Sequence, residues 1–333
     1  EEVKICPTLP GCKPHAPCPS CQLAEAGCDA DYGDAFDYRN SHGSSAISRK
    51  ELLDTYACKG FTCPYMATCG RADLNPLSAE GPRMVNGMDQ VYGEWPHFVR
   101  LNILLPAGNW AICGGVIISD RHILTANHCV EGADGRVLVE NIVVVAGEHR
   151  SNILDSHEQI RKVVNICHSS RFYDPQNNGG MYDFSVLTLD KQFDFNDHVQ
   201  PACLPYEPLP LEGARCFVMG LGLVKSHSTE EDERVFATTV QKMQLKCTRC
   251  GPWSFRGNDR SRHCFTKANG EGDTCGGDSG GPVVCLNSNK RWVVMGLVSY
   301  GSQLCDGTTE VGWVGVYTRV KGVLKQMQAD CGV

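Results

Sequence analysis

Twenty of the 333 residues are cysteine, and they are spread along the chain rather than gathered into two compact clusters. An even, dispersed set of this size is a hazard in a reducing compartment unless it binds metal, and its dispersal points to disulfides. A framework of bridges implies an oxidising, extracellular setting, so the expected localisation is secreted. The chain opens Glu1-Glu2-Val3-Lys4-Ile5-Cys6, without the basic start and apolar core of a signal peptide, so the expectation is that a leader has already been removed. No Asn-x-Ser/Thr acceptor occurs, so N-glycosylation is not expected.

The cysteines divide the chain into two unequal parts. Residues 1–83 hold eight of them: Cys6, Cys12, Cys18, Cys21, Cys28, Cys58, Cys63 and Cys69. Proline-rich turns and a polar stretch separate them, and only Glu51–Tyr56 shows the spacing of a short helix. Such a segment buries too little apolar surface to fold without bridges. Cys18-x-x-Cys21 with His15 and His42 is also a zinc candidate. Disulfides are favoured over it, because the setting is oxidising and the segment holds no second Cys-x-x-Cys. The domain boundary is therefore placed between 83 and 84.

From Met84 onward short β-rich runs recur: Phe98–Leu105, Gly115–Ile118, Asn141–Val145, Phe184–Leu189, Arg215–Met219, Trp292–Val298 and Gly315–Val320. Turn clusters between them predict an antiparallel all-β sandwich or barrel rather than alternating βαβ units. Val320, Val323, Leu324 and Met327 fall at helical spacing, which predicts a C-terminal helix with one face packed on the strands. No run of 18 apolar residues is present, so no membrane span is expected. A net charge of −7 argues against electrostatic coating of nucleic acid.

Three segments carry chemistry. Leu124-Thr125-Ala126-Asn127-His128-Cys129 ends a β-run in a histidine. Tyr182-Asp183-Phe184-Ser185-Val186-Leu187 opens an apolar strand with an aspartate. Asp273-Thr274-Cys275-Gly276-Gly277-Asp278-Ser279-Gly280-Gly281-Pro282 holds a serine in a glycine-rich turn. Each alone has a bland reading as a packing residue, a turn former or a loop. Together they supply a weak nucleophile, a base, and a carboxylate to fix the base's tautomer. Glycines beside the serine let backbone N–H groups crowd a small oxyanion.

On these motifs the chain from Met84 to about Gly332 resembles the trypsin/chymotrypsin-like serine proteases. The resemblance implies an all-β fold of two antiparallel β-barrels and a C-terminal helix over 84–333, preceded by a small disulfide-rich propiece over 1–83. It implies Ser279 as nucleophile, His128 as general base and acid, Asp183 as the buried orienting carboxylate, and the N–H groups of Gly277 and Ser279 as oxyanion hole. Asp273, six residues before the nucleophile, would floor the specificity pocket, with Ser299, Gly301 and Gly315 along its walls. A carboxylate there favours Lys or Arg before the scissile bond. Gly81-Pro82-Arg83-Met84-Val85-Asn86-Gly87 resembles an activation junction. Cutting after Arg83 would free the α-amino group of Met84 to pair with Asp278, although the family usually begins with Ile or Val.

The same resemblance implies bridges Cys113–Cys129, Cys216–Cys285, Cys250–Cys264 and Cys275–Cys305, with Cys203 tethering the propiece. Cys331 is expected to meet Cys167, and Cys247 is open to a second propiece cysteine. The segment Glu148–Glu158 resembles a calcium loop, with carboxylates of Glu148, Asp155 and Glu158 and carbonyls of Arg150 and Ile153 as oxygens. A solvated acidic loop is the competing reading. No cofactor is required for the chemistry. Expected partners are protein or peptide substrates, an activating trypsin-like protease and protein inhibitors. Three departures stand out: Asn127 replaces a near-constant alanine, and Tyr300 and Leu221 each replace a tryptophan. Asn127 is the sole support for an alternative function, a catalytically silent homologue acting as a binding or scaffold protein.

Overall fold

The computed structural model describes residues 69–74, 88–132, 135–172, 181–206, 209, 211–225, 235–250, 260–268, 274–301 and 314–333. The strands in chain order are β1 (Met88–Asp89), β2 (Phe98–Leu104), β3 (Trp110–Ile117), β4 (His122–Thr125), β5 (Glu131–Gly132), β6 (Gly135–Arg136), β7 (Ile142–Ala146), β8 (Gln159–His168) and β9 (Ser185–Leu189). They continue with β10 (Cys216–Gly220), β11 (Leu223–Lys225), β12 (Val235–Phe236), β13 (Gln241–Thr248), β14 (Arg262–Lys267), β15 (Pro282–Leu286), β16 (Trp292–Tyr300) and β17 (Gly315–Arg319). Helix α1 (Val320–Cys331) follows directly.

Two closed six-stranded antiparallel barrels result. The first runs β2-β3-β4-β9-β8-β7, and the second runs β13-β10-β15-β16-β17-β14, closed by the β13–β14 pairing, with β1 added at β13. Alternation builds each core. On β2, Val99, Leu101 and Ile103 point into the first barrel beside Ile117, Ile123, Val144 and Leu187, because successive strand side chains face opposite sides. Phe98 on the same strand faces the other way and joins a cluster with Leu124, Phe184, Phe217, Met219, Trp292 and Leu297, which packs barrel against barrel. The second barrel is filled by Val218, Met243, Phe265, Val283, Met295 and Tyr317.

Helix α1 lays Val320, Val323 and Met327 into the joining cluster, fully buried, each contributing roughly 1.5–3 kcal/mol. It ends at Gly332, whose φ of 71° suits glycine and whose N–H caps the Gln328 carbonyl. Among the described residues no helix is long and apolar enough to cross a membrane.

The expected bridges Cys113–Cys129, Cys216–Cys285 and Cys250–Cys264 are present, as are Cys167–Cys331 and a tether from Cys69 in the N-terminal segment to Cys203. Cys247 and Cys275 are disulfide-bonded too. Cys305, the expected partner of Cys275, lies outside the described residues, as do Glu51–Tyr56, Cys18, Cys21, Arg83, Met84 and Asp273.

Of the twelve barrel strands, five do not show in the periodicity of the sequence or fall only within a motif: β4, β8, β13, β14 and β15. On β13 Met243 and Leu245 face the barrel core, and Lys242, on the opposite face, is buried all the same, against Glu94, equally buried. A charged pair can occupy a core only when each partner answers the other, and this one ties the segment before β2 to the second barrel.

Candidate active site

His128 sits in a short 3-10 turn, Asn127–Cys129, that follows β4. Cys129 is bridged to Cys113 of β3, so the turn is held by a disulfide at one end and by the β3–β4 pairing at the other. Asp183 lies just ahead of β9, which pairs with β4 and brings Ser185 opposite Thr125. That register carries the aspartate to the histidine across 55 residues of sequence.

The contact is double. Asp183 Oδ1 accepts the backbone N–H of His128 at 2.9 Å, and Oδ2 lies 2.8 Å from His128 Nδ1. Oδ2 also accepts the Ser299 hydroxyl at 2.5 Å, and the Asp183 carbonyl accepts from Thr318 Oγ1 at 2.7 Å. A carboxylate so surrounded makes Nδ1 the protonated nitrogen and leaves Nε2 as the basic one. Burial alone would raise the Asp183 pKa, but the facing His128 and the hydrogen bonds from His128 and Ser299 hold it below the ordinary value. Burial alone would lower that of His128, and the charge and hydrogen bond of Asp183 reverse the sign and raise it.

Ser279 comes from the second barrel, on the turn before β15. A backbone hydrogen bond places that turn against the first barrel: the Gly114 N–H of β3 donates to Ser279 O at 2.7 Å. Gly280 permits the approach. Its φ is +73°, and a Cβ there would stand 2.2 Å from Thr125 Oγ1 and 2.6 Å from the Gly114 carbonyl. Gly277 has φ of +97°, again a conformation for glycine.

Asp278, between them, is buried, and its carboxylate ties the turn together. Oδ1 accepts from Gly222 N–H at 2.8 Å and Oδ2 from Cys275 N–H at 2.9 Å. Gly220 and Gly222 leave the room for it, since a Cβ at either would come within 2.6 Å of its carboxylate.

Residues 84–327 match the family model Trypsin. The chain belongs to the trypsin family. It is thus a serine protease by family, a hydrolase whose relatives act on protein substrates. Gly315 is buried at the start of β17 and Gly301 is half-buried just past β16, on the two strands that pair as Tyr300 with Val316. Ser299, grouped by sequence with the pocket walls, turns its hydroxyl to Asp183, a role only the fold reveals. Thr318 was not singled out by sequence at all. Tyr300 is partly exposed and its hydroxyl accepts from Arg262 Nη1 at 2.7 Å, whereas Leu221 is buried in the cluster joining the barrels.

In the expected calcium loop, Glu148 is buried and its pKa is pushed up to about 7, by burial first, with Glu158 and Asp155 adding to it and Arg100 opposing. Arg100 Nη2 lies 2.9 Å from Glu148 Oε2, and Arg150 Nη2 lies 3.7 Å from Asp155 Oδ1. Glu148 Oε1 and Asp155 Oδ2 are buried with no hydrogen-bond donor, the kind of oxygen a hard cation accepts. The Arg150 carbonyl is engaged by the Ile153 N–H at 3.1 Å. Among the described residues no three metal-binding side chains form a ready cage.

Proposed function

We propose that this protein is a secreted serine endopeptidase zymogen that cleaves after Lys or Arg and is activated by a cut after Arg83. The observation that carries the reading is the bidentate Asp183–His128 contact, with the turn of Ser279 packed through Gly280 against Thr125 and Ala126 just ahead of His128. In the proposed reaction His128 Nε2 takes the Ser279 hydroxyl proton as Oγ attacks the scissile carbonyl. Asp183 stabilises the imidazolium without accepting its proton. The N–H groups of Gly277 and Ser279 receive the oxyanion, and the proton then passes to the leaving amine.

Asp273 supplies the basic specificity in this reading and Asp278 the acceptor for the new α-amino group. The disulfides suit an extracellular protein, and the Cys69–Cys203 bridge keeps the propiece attached after the cut. An activating trypsin-like protease and protein inhibitors are the partners this reading implies. A structural calcium ion on Glu148, Asp155 and Glu158 with the Arg150 and Ile153 carbonyls accompanies it, in competition with Arg100. No cofactor takes part in the chemistry. The Asn127 amide is hydrogen-bonded and leaves the Asp183–His128 contact intact, which favours the enzymatic reading over the silent-homologue alternative.

The test is peptide hydrolysis and labelling by a serine-directed phosphonate before and after cutting at Arg83. Cut protein is expected to hydrolyse and label, Ser279→Ala to lose hydrolysis by several orders of magnitude, and Arg83→Gln to stay inert. Undiminished hydrolysis by Ser279→Ala would remove the nucleophile assignment.

A further inference from the structure

Asn127 is completely buried beside the general base. Its Oδ1 accepts the Ser185 hydroxyl at 2.6 Å and lies 3.1 Å from His168 Nδ1. Its Nδ2 donates to Glu131 Oε2 at 3.1 Å, and that oxygen is 3.3 Å from the same His168 nitrogen. Glu131 Oε1 accepts from Arg136 Nε at 2.6 Å. The orientation of the amide follows from these partners, since the reverse would set its oxygen against a carboxylate oxygen. His168 Nδ1, faced by two acceptors, carries hydrogen.

The partners belong to the segments that place the triad. Asn127 precedes His128 by one residue and Ser185 follows Asp183 by two. Ser185 pairs with Thr125 across β4–β9 and with His168 across β8–β9, so the amide closes a gap between three strand ends. The end of β8 is in turn fixed to α1 by Cys167–Cys331 and by Asp330, whose carboxylate accepts the Ser170 N–H at 3.0 Å and hydroxyl at 2.9 Å.

We infer that Asn127 is a positioning residue for catalysis, a second clasp that holds the turn of His128 to the strand of Asp183 and so fixes the imidazole against its carboxylate. The inference rests on the serine-peptidase reading above. Its physical basis is that displacing a reacting group by about 1 Å lowers rate by about a hundredfold, while the 3-10 turn is only three residues long and its disulfide ties it to β3, not to the strand of Asp183. A merely structural role would give stability and leave the rate per folded molecule unchanged.

The experiment uses the full chain cut after Arg83, with rates expressed per active site titrated by phosphonate. Asn127→Ala is expected to lower kcat at least tenfold with KM within twofold. The acid limb of kcat/KM should move to lower pH, because Asp183 is the charged group facing His128 and its hold weakens. His168, Glu131 and Arg136 are the other titratable groups near the turn. Ser185→Ala, which removes one hydrogen bond and keeps the fold if Asn127→Ala does not, is expected to lower kcat in the same direction. The double variant should fall no further than the worse single, as for two halves of one clasp. A lowered Tm with unchanged kcat and an unmoved acid limb in both single variants would overturn the inference. Absence of hydrolysis and labelling in the cut wild-type protein is a different outcome and would overturn the peptidase reading along with it.

Discussion

His97 offers a test of the core by pH. It has no exposed surface, its Nδ1 donates to the Gln200 carbonyl at 3.1 Å, and its Nε2 is buried without a hydrogen-bond partner. A second proton would place a charge at Nε2 where nothing accepts it. Burial therefore lowers its pKa from 6.5 to about 4, with the Gln200 hydrogen bond opposing in part. The folded state binds this proton less readily than the unfolded chain, so the contribution is whole above pH 6.5 and is lost as pH falls toward 4. Linkage puts the loss at about 2 kcal/mol between pH 7 and pH 5 and about 3 kcal/mol below pH 4. The assay is urea unfolding at pH 7 and pH 5 in a Ser279→Ala background, with and without His97→Gln. Glutamine retains a donor for Gln200 and cannot be protonated. Groups common to both proteins cancel, so the protein with His97 should lose about 2 kcal/mol more than the variant. Equal losses would mean that His97 is hydrated or paired in a way the burial does not allow.

Asp278→Asn turns an amide NH2 toward either the Gly222 or the Cys275 N–H. Losing one hydrogen bond to a carboxylate, about 1.5–3 kcal/mol, together with the negative charge proposed to pair with the new α-amino group, should lower kcat/KM of the cut enzyme by at least about 10- to 100-fold. Asp273→Ser should abolish the preference for Lys and Arg in a peptide-library profile while phosphonate labelling persists; an unchanged profile would place the pocket floor elsewhere. Calcium at a hundred times its Kd should stabilise by about 3 kcal/mol, seen as a rise in Tm, and the rise should grow in Arg100→Gln. Because calcium needs an ionised Glu148, whose pKa is about 7, that rise should shrink as pH falls below 7.

The legible parts of the fold are those where burial and sequence share a period. β2 alternates cleanly, and α1 places its apolar residues every three or four positions. β8 does not: a bulge between Val163 and Asn165 shifts its register on β9, so Gln159–His168 never shows two-residue alternation over a full strand. β13 is obscured by a different cause. The burial of Lys242 is set by Glu94, which is 148 residues away, and no local window contains both.

The same distinction governs the site. His128, Asp183 and Ser279 can be picked out as candidates because each sits in a local motif whose residue types have a joint chemical meaning. Ser299 donates to Asp183 across 116 residues, and Ser185 and His168 reach Asn127 across 58 and 41; these pairings come from strand register, not from any motif. One signal was nevertheless present in the chain. An asparagine immediately before the candidate base His128, where the resemblance leads one to expect alanine, has no solvent to satisfy it at the end of a buried strand. Burying an unanswered amide is costly enough that partners must exist nearby. Serine at the inward position two residues after Asp183 was the natural donor to look for. In the folded chain the hydrogen-bond partners of the amide, Glu131, His168 and Ser185, lie on segments flanking His128 and Asp183, so a departure that invites a reading of lost function is built into the frame around the candidate base.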